Sequence, residues 1–431
     1  MMLRRLALLS VVTVGVIITL PHHIDAAFVG PERTLLTIAP PSWVLGAPNN
    51  AATLDFDFAN GRYWQAPPSY GRDPSSLLTV SRASTEYQPD ITGLLHAFPA
   101  NVAAVTNVGV GVWQAATNEA LYSRDLTQTQ WVKVNTTAAH TATGADGAVS
   151  SASLLTSSAA NGTVLQTFTI ASEAQNLSVY VRRVTGTGEI DITENNGTTW
   201  TALTASNCVQ PGTLAASGIV TTGYVRCSVE ATLLNPVVGF RIVTNGDAVN
   251  IDFVQLENST FPTPPIATTT TTAVRAADKI SAITSLQSGP LIVTVRADFI
   301  PGANNTFATG QNILLAGNSG NNFGLRRMAT TGKASYFTTV ASSFTETAIT
   351  SAAWGQFSEG ISAATTAKAS QAGGFNGGSL TTSSISYGAN IANPDSVFIG
   401  SGATGNAPAN GIIRRVSIIP QNVPSILPYA K

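Results

Sequence analysis

The sequence predicts an all-β protein built from two sandwiches in series. Short runs that alternate apolar and polar residues recur along most of the chain, with Gly or Asn between them. Charged residues make up only 10% of the chain, which suits neutral, hydroxyl-rich surfaces. A Pro- and Thr-rich tract at 259–274 interrupts the pattern, and proline cannot donate to a sheet ladder. This tract therefore predicts a stiff linker between two β domains.

The first 27 residues form an apolar N-terminal segment. Arg4 and Arg5 precede an uncharged run from Leu6 to Leu20. A run of this length is typical of a secretory signal and short for a membrane span. It also suits an apolar helix that is retained and buried among subunits. Cleavage near Ala26 would indicate export, and an intact Met1 would indicate assembly inside the cell.

Residues 28–118 are interrupted repeatedly by proline, and only 53–58 and 77–82 have the pattern of strands. The segment has too few periodic apolar residues for a large core of its own. We therefore expect an extended N-terminal arm with short strands, lying on a neighbouring subunit.

Two β domains follow the arm. Residues 119–258 contain evenly spaced short strands with turn residues between them, which is typical of a jelly roll. Residues 275–431 repeat that style and predict a second sandwich.

Several motifs resemble one family in both content and order. They are LDFDFANGRYW (54–64), SLLTVSRASTEY (76–87), ALYSRDLTQTQWVKVN (120–135), QLE (255–257), RAAD (275–278), GFNGG (374–378) and VFIGS (397–401). The series is similar to tailed-bacteriophage virion structural proteins of the tail-fibre or head-decoration type. In that family a carbohydrate-binding-module-like jelly roll precedes a concanavalin-like, laminin-G-like domain.

The resemblance implies a non-enzymatic virion component that displays β-sandwich domains and binds host-surface glycans. It also implies a homo-oligomer and contacts with other virion proteins through the arm. The net charge of −1 removes the usual electrostatic footprint for nucleic acid, so no nucleic-acid partner is expected. The alternative is a secreted bacterial carbohydrate-binding protein or glycosidase, which the N-terminal apolar run favours.

Catalytic motifs are sparse. No GxSxG, HExxH or phosphate-binding Gly-rich loop occurs, and the chain has four histidines. The densest acidic group is Glu189, Asp191 and Glu194, and alternation places Glu189 and Asp191 on one sheet face. Such a pair could serve an acid catalyst, a solvated strand face or a structural calcium ion. The clustered Glu/Asp strand motif that glycosidases of the concanavalin-like fold resemble is missing, so we expect no enzymatic activity and no cofactor.

Glycan binding needs an aromatic platform and a few polar partners. Trp200 follows an Asn-Asn-Gly turn near the acidic strand and is the first candidate, with Glu189 and Asp191 as its polar partners. Trp354 is the second candidate, and the other candidate aromatics are Trp131, Tyr180, Tyr224, Tyr336 and Phe375. Each of these aromatic residues has a core position as its alternative reading.

The chain has two cysteines, Cys208 and Cys227. Alternation places Cys227 on an inward strand face with Val225 and Val229. A hairpin between the cysteines would bring Cys208 back beside it, so we expect them on neighbouring strands or on a strand and its adjoining loop. A disulfide and two free thiols both remain open, because proteins assembled in a reducing cytoplasm do not usually depend on such bonds.

Overall fold

The computed structural model describes residues 42, 44–45, 52–66, 69–71, 74–283, 291–299, 310–317, 320–340, 342–353, 359–366, 371–375, 381–383 and 396–420. The apolar segment 1–27 and Trp354 lie outside these residues. Within them, no helix is long and apolar enough to cross a membrane.

Nine strands precede the first sandwich. They are β1 (Leu54–Asp57), β2 (Arg62–Gln65), β3 (Ser69–Gly71), β4 (Thr79–Ser81), β5 (Glu86–Pro89), β6 (Leu95–Phe98), β7 (Val105–Thr106), β8 (Gly109–Val112) and β9 (Ala116–Asn118). Two short 3-10 helices, Phe58–Asn60 and Pro74–Ser76, lie among them.

The first sandwich follows along the chain. Its strands are β10 (Val132–Val134), β11 (Thr136–Ala142), β12 (Ala152–Ser157), β13 (Gly162–Thr167), β14 (Glu173–Thr185), β15 (Ile190–Thr193), β16 (Thr201–Ala202), β17 (Cys208–Val209), β18 (Val225–Leu233), β19 (Val237–Ile242) and β20 (Ala248–Glu257). They form a five-stranded sheet in the order β10-β13-β19-β15-β16 and a six-stranded sheet in the order β11-β12-β20-β14-β18-β17.

Alternation along these strands builds the core between the two sheets. Val179 and Val181 of β14 face Ile190 and Ile192 of β15 in one buried cluster, and Trp131 lies in the same cluster. Because successive side chains point to opposite faces, the residues between them form the outer faces of the sandwich.

The second sandwich begins after a short strand. Strand β21 (Ala273–Arg275) pairs with β9. The remaining strands are β22 (Lys279–Ile283), β23 (Leu291–Phe299), β24 (Gln311–Gly317), β25 (Asn322–Arg327), β26 (Lys333–Val340), β27 (Ser343–Ala353), β28 (Glu359–Thr366), β29 (Gln371–Phe375), β30 (Thr381–Ser383), β31 (Ser396–Ile399) and β32 (Gly411–Pro420). One sheet has the order β27-β26-β25-β24-β31-β22-β4, and the other runs β3-β2-β1-β32-β23-β28-β29-β30 with β7 and β8 attached through β32. The prediction of an all-β, sandwich-forming chain is confirmed.

The segment expected to form an extended arm belongs largely to this second sandwich. Strand β1 pairs along β32, with Leu54 opposite Ile418, and β4 pairs with β22. Leu54 and Phe56 are fully buried in the second core. The alternating run at 54–58 therefore supplies an internal strand to a core made mostly by the C-terminal part of the chain. The expected contact with a neighbouring subunit is replaced, for these strands, by contact within the chain.

The Pro- and Thr-rich segment also differs from a free linker. Thr263 is fully buried, and Phe261 and Ile266 are nearly so. Glu257 accepts hydrogen bonds from the Thr263 backbone N–H and hydroxyl, each at 2.7 Å. Gln255 accepts one from the Ile266 N–H at 2.7 Å. Two side chains of the QLE motif therefore fasten this segment to β20.

A buried ionic cluster joins three parts of the chain. Arg82 contacts Glu86 at 3.1 Å and Asp278 at 2.8 Å, and Arg275 contacts Asp278 at 3.4 Å. Asp278 also accepts the Trp113 backbone N–H at 2.9 Å. The RAAD motif thus ties the start of the second sandwich to the β5–β6 hairpin and to the end of β8.

Candidate functional site

The outer face of the six-stranded sheet is unusually polar. Residues between the core positions of β14 and β18 point outward, and the two strands pair in register. The cross-strand pairs on this face are Asn176–Glu230, Ser178–Ser228 and Tyr180–Arg226. A polar outer face of this kind commonly meets solvent. Here part of it is covered by another segment of the chain.

The β5–β6 hairpin covers the middle of this face. Tyr87 on β5 packs edge-on against Phe253 with 4.9 Å between ring centroids, and Tyr180 lies 6.1 Å from Phe253. Phe253 reaches the outer face because β20 gains one residue relative to β14 at this point, a β-bulge. Its φ of 46° lies in the left-handed region, which is costly for an aromatic residue. The β5–β6 hairpin therefore packs on an aromatic surface that the β-bulge helps to form.

A cavity of about 230 Å³ remains between the sheet face and its cover. Three aromatic side chains contribute to its wall: Tyr87, Trp113 and Tyr180. The loop 205–214 and the Pro-rich segment form the other sides. Further lining residues are Gln88, Asn176, Asn207, Cys208, Arg226, Ser228, Glu230, Pro262 and Pro264. Aromatic walls with a few convergent polar groups are typical of small-molecule sites.

Arg226 is the cationic group of this cavity. Its Nη2 donates to the Ser178 hydroxyl at 3.0 Å and to the Thr263 carbonyl at 2.5 Å. Its guanidinium carbon lies 5.4 Å from the centroid of the Tyr180 ring, within cation–π range. These contacts fix the guanidinium. The hydrogen bonds from Thr263 to Glu257 matter here because they position the Thr263 carbonyl, which accepts a hydrogen bond from Arg226.

Several lining side chains carry buried polar atoms without a hydrogen-bond partner among the described residues. They are Gln88 Nε2, Trp113 Nε1, Asn176 Oδ1, Arg226 Nε and Glu230 Oε2. Leaving such an atom unpaired costs about 1–3 kcal/mol, so buried polar groups are nearly always bonded to protein or to water. Side chains that line the cavity therefore carry three donors and two acceptors without a partner in the described part of the chain, and ordered water or a ligand that reached these atoms would relieve the cost.

Burial perturbs the carboxyl groups near this cavity. It raises the pKa of Glu230, and it raises the pKa of Glu194 to about 8, with the Glu230 carboxylate adding to that shift. Burial also raises the pKa of Glu257, although Gln255, Arg226 and Thr263 oppose the change. Glu194 is accordingly protonated at neutral pH.

Cys208 and Cys227 lie on neighbouring strands, as predicted, and are directly opposite each other in the β17–β18 register. They form a disulfide, with 3.9 Å between their Cα atoms. Both side chains are fully buried, and Cys208 lines the cavity. The disulfide thus fastens the loop that forms one cavity wall.

Trp200, Glu189 and Asp191 lie elsewhere, at the five-stranded sheet. Arg241 donates to Asp191 through Nε at 2.7 Å, and its guanidinium carbon lies 4.8 Å from the Trp200 ring centroid. Burial raises the pKa of Asp191, with Arg241 opposing and the nearby Glu189 adding to it. The structure therefore brings the three predicted residues together, but Arg241 already contacts both the Asp191 carboxylate and the Trp200 indole.

Sequence reasoning included Tyr180 among the aromatic candidates and missed Trp113, Tyr87 and Arg226. The outward row Arg226, Ser228 and Glu230 could have been read from alternation along β18. The β5–β6 hairpin and Trp113 could not have been assigned to the site in this way, because they are far from β18 in the sequence. Among the described residues, no three His, Cys, Asp or Glu side chains are placed to hold a metal ion.

Comparisons with known proteins give distant similarities only. No protein-family model and no curated protein matches the chain. One similar solved structure is the Ruminococcus gnavus IT-sialidase CBM40 bound to alpha2,3 sialyllactose, with 15% identity, a TM-score of 0.26, and coverage of 34% of this chain and 82% of that chain.

Two others cover more of the chain. Mouse laminin alpha1 chain domains LG4-5 give 10% identity, a TM-score of 0.22, and coverage of 61% of this chain and 84% of that chain. The CBM22-1–CBM22-2 tandem domain of Paenibacillus barcinonensis Xyn10C gives 9% identity, a TM-score of 0.25, and coverage of 72% and 99%. At these TM-scores the superpositions locate no binding site and identify no ligand.

Proposed function

We propose that this chain is a non-catalytic glycan-binding protein and that the cavity between the six-stranded sheet and the β5–β6 hairpin holds one sugar residue. The observation that supports this most strongly is the set of five unpartnered polar atoms beside aromatic walls. A sugar hydroxyl both donates and accepts hydrogen bonds, and the apolar face of a pyranose packs on an aromatic ring. A sugar would therefore bond to the polar groups of the cavity and pack on its aromatic side chains.

The size of the cavity supports a small ligand unit. Its volume of about 230 Å³ lies below the range of roughly 300–1,000 Å³ for sites that enclose a drug-sized molecule. A terminal or branching sugar of a longer glycan fits this limit better than an extended oligosaccharide enclosed along its length.

The arrangement of carboxylates supports binding without hydrolysis. Glycosidases place two carboxyl groups on either side of the scissile bond, roughly 5–9.5 Å apart. Glu230 is the single carboxylate among the described lining residues. Glu257 lies behind the wall and is bonded to Thr263, and Asp191 belongs to the other sheet. We therefore propose that oligosaccharides are bound and not cleaved.

The biological setting we propose is the virion of a tailed bacteriophage, where homo-oligomers of the chain would display this site. This part rests on the motif series from residue 54 to residue 401. Strands β1, β4 and β8 are engaged within the chain, so contacts with other virion proteins would use other surfaces. The secreted alternative is favoured by the buried disulfide, because such bonds persist in oxidising compartments.

The decisive experiment is a glycan-array screen followed by calorimetry on variants at the cavity rim. Ser206 is exposed and lines the cavity, so Ser206→Trp should block the cavity without disturbing a core. Ser172 is exposed and does not line it, so Ser172→Trp is the matched control.

We expect Ser206→Trp to abolish glycan binding and Ser172→Trp to retain it. Equal affinity of the Ser206→Trp variant and the unmodified protein would contradict the cavity assignment. Release of shorter oligosaccharides during prolonged incubation would contradict the non-catalytic assignment.

A further inference from the structure

A second concave surface lies on the outer face of the six-stranded sheet, in the next row of residues. Leu154 on β12 pairs with Asn250 on β20, and Asn250 pairs with Arg182 on β14. These residues line an open groove of about 340 Å³, together with Thr141, Ala142, Arg183, Val184 and Thr221. Arg182 is two residues beyond Tyr180, about 7 Å along the strand. The groove is therefore distinct from the cavity.

Arg182 is held in place without an acidic partner. Its guanidinium carbon lies 5.2 Å from the centroid of the Tyr224 ring. Tyr224 is itself fixed, because its hydroxyl donates to the Thr143 carbonyl at 2.7 Å. No hydrogen bond or ion pair joins the Arg182 side chain to any residue that the structure describes. The Arg182 guanidinium is thus positioned by its contact with the Tyr224 ring, and its N–H groups make no hydrogen bond to the described residues.

Two other arginines of this sandwich are paired with carboxylates. Arg183 contacts Asp247 at 3.4 Å and donates to the Gly188 carbonyl at 2.8 Å. Arg124 contacts both Asp146 and Asp252 at 2.8 Å. Arg182 differs from both, and no carboxylate is among the described residues that line its groove.

The groove also offers neutral hydrogen-bonding groups. Asn250 is only 4% exposed, and its side-chain amide has no hydrogen-bond partner among the described residues. Thr141 and Thr221 are exposed at the rim. A planar guanidinium binds a carboxylate through two parallel hydrogen bonds, and an amide N–H can support the same oxygen.

We propose that this groove is an oxyanion site that binds a carboxylate group through Arg182 and Asn250. The carboxylate could belong to an acidic sugar or to a small free acid. In both cases the chemistry at Arg182 is the same. The proposal does not depend on glycan binding in the cavity, because the two sites share no lining residue.

Ligand-observed NMR titration of the full chain tests this with three probes: glucuronate, acetate and glucose. We expect glucuronate to bind and glucose not to bind in the groove, and we expect affinity to fall as salt is raised. Arg182→Gln should weaken glucuronate binding at least tenfold. Arg182→Lys keeps the charge and loses the fork, so it should give an intermediate loss. The matched control is Arg62→Gln, which removes an exposed arginine on β2.

The outcomes separate the possible sources of the carboxylate. Tighter binding of glucuronate than of acetate, lost in Arg182→Gln, would assign an acidic sugar. Equal binding of both, lost in Arg182→Gln, would assign a general carboxylate site. Unchanged glucuronate affinity in Arg182→Gln with an unchanged melting temperature would overturn the proposal, as would absence of glucuronate binding to the unmodified protein. Ser206→Trp reports on the cavity separately.

Discussion

The two outer faces of the first sandwich differ in what covers them. On the five-stranded sheet, Val132 and Val134 of β10 are 60% and 55% exposed. On the six-stranded sheet, Tyr180 and Phe253 are at most 2% exposed, because the β5–β6 hairpin lies over them. The same type of sheet therefore gives an open surface on one side and an enclosed cavity on the other. The difference comes from a segment outside the sandwich.

The largest expected effect comes from breaking the buried ionic cluster that holds the β5–β6 hairpin over the cavity. Asp278→Ala should destabilise the protein by about 3–5 kcal/mol, because it leaves Arg82 and Arg275 buried without one of their carboxylate partners. Chemical denaturation measures this loss. His96→Ala is the control, since this half-exposed side chain pairs with Asp90 at the surface and its loss should cost under about 1 kcal/mol. Similar losses in the two variants would show that the ionic cluster does not anchor the hairpin.

The second effect separates a buried from an exposed carboxyl group at the two ends of β15 by pH. The pKa of Glu194 is about 8 in the folded protein, above its value in an unfolded chain, so folding retains a proton between about pH 4.5 and pH 8. Stability should be highest below this interval and fall by up to about 1.4 kcal/mol per pH unit within it. Glu194→Gln should flatten this slope in pH-dependent melting. Glu189→Gln changes an exposed carboxyl group next to the other end of β15 and should leave the Glu194 contribution to this slope in place.

Opening the disulfide tests the cavity wall. Reduction, or the Cys208→Ser and Cys227→Ser double variant, should cost about 3 kcal/mol on the chain-entropy account of loop closure. It should also weaken glycan binding, since the loop 205–214 would lose its attachment to β18. Calorimetry with and without reductant measures both. Full retention of affinity after reduction would show that the wall is held by other contacts.

The smallest effect is expected on the open face. Trp200→Ala removes a cation–π contact with Arg241, worth about 0.5–1 kcal/mol at a partly exposed site. Glycan affinity in the cavity should not change, because Trp200 does not line it. A loss of glycan binding in a folded Trp200→Ala variant would return the binding site to the open face.

Sequence patterns predicted the strands better than their partners. The alternation at 54–58 identified β1, but it carries no information that Leu54 packs with Ile418. The prolines at 262–265 suggested a stiff linker outside either core because proline lacks a ladder donor. The structure satisfies the segment instead through the side chains of Gln255 and Glu257.

The candidate site was predictable only in part, for the same reason. Tyr180 and the polar row of β18 follow from alternation within the first sandwich. Trp113 and Tyr87 enter the cavity through contacts between distant segments, which local patterns do not encode. Trp200 was favoured because it follows an Asn-Asn-Gly turn, and that local pattern carries no information that Arg241 lies over the Trp200 ring.

The pairing of β1 with β32 has a consequence for synthesis. Asp55 and Arg415 form an ion pair at 2.6 Å although 360 residues separate them. A ribosome adding roughly 5–20 residues per second needs on the order of tens of seconds to make that interval. During that time β1, with Leu54 and Phe56, can pair with β2 but lacks its second partner strand, β32. The first sandwich can form once β20 has been made. In the second sandwich the pairing of β1 with β32 must wait until the end of synthesis. The nascent chain therefore depends on protection from aggregation until β32 emerges.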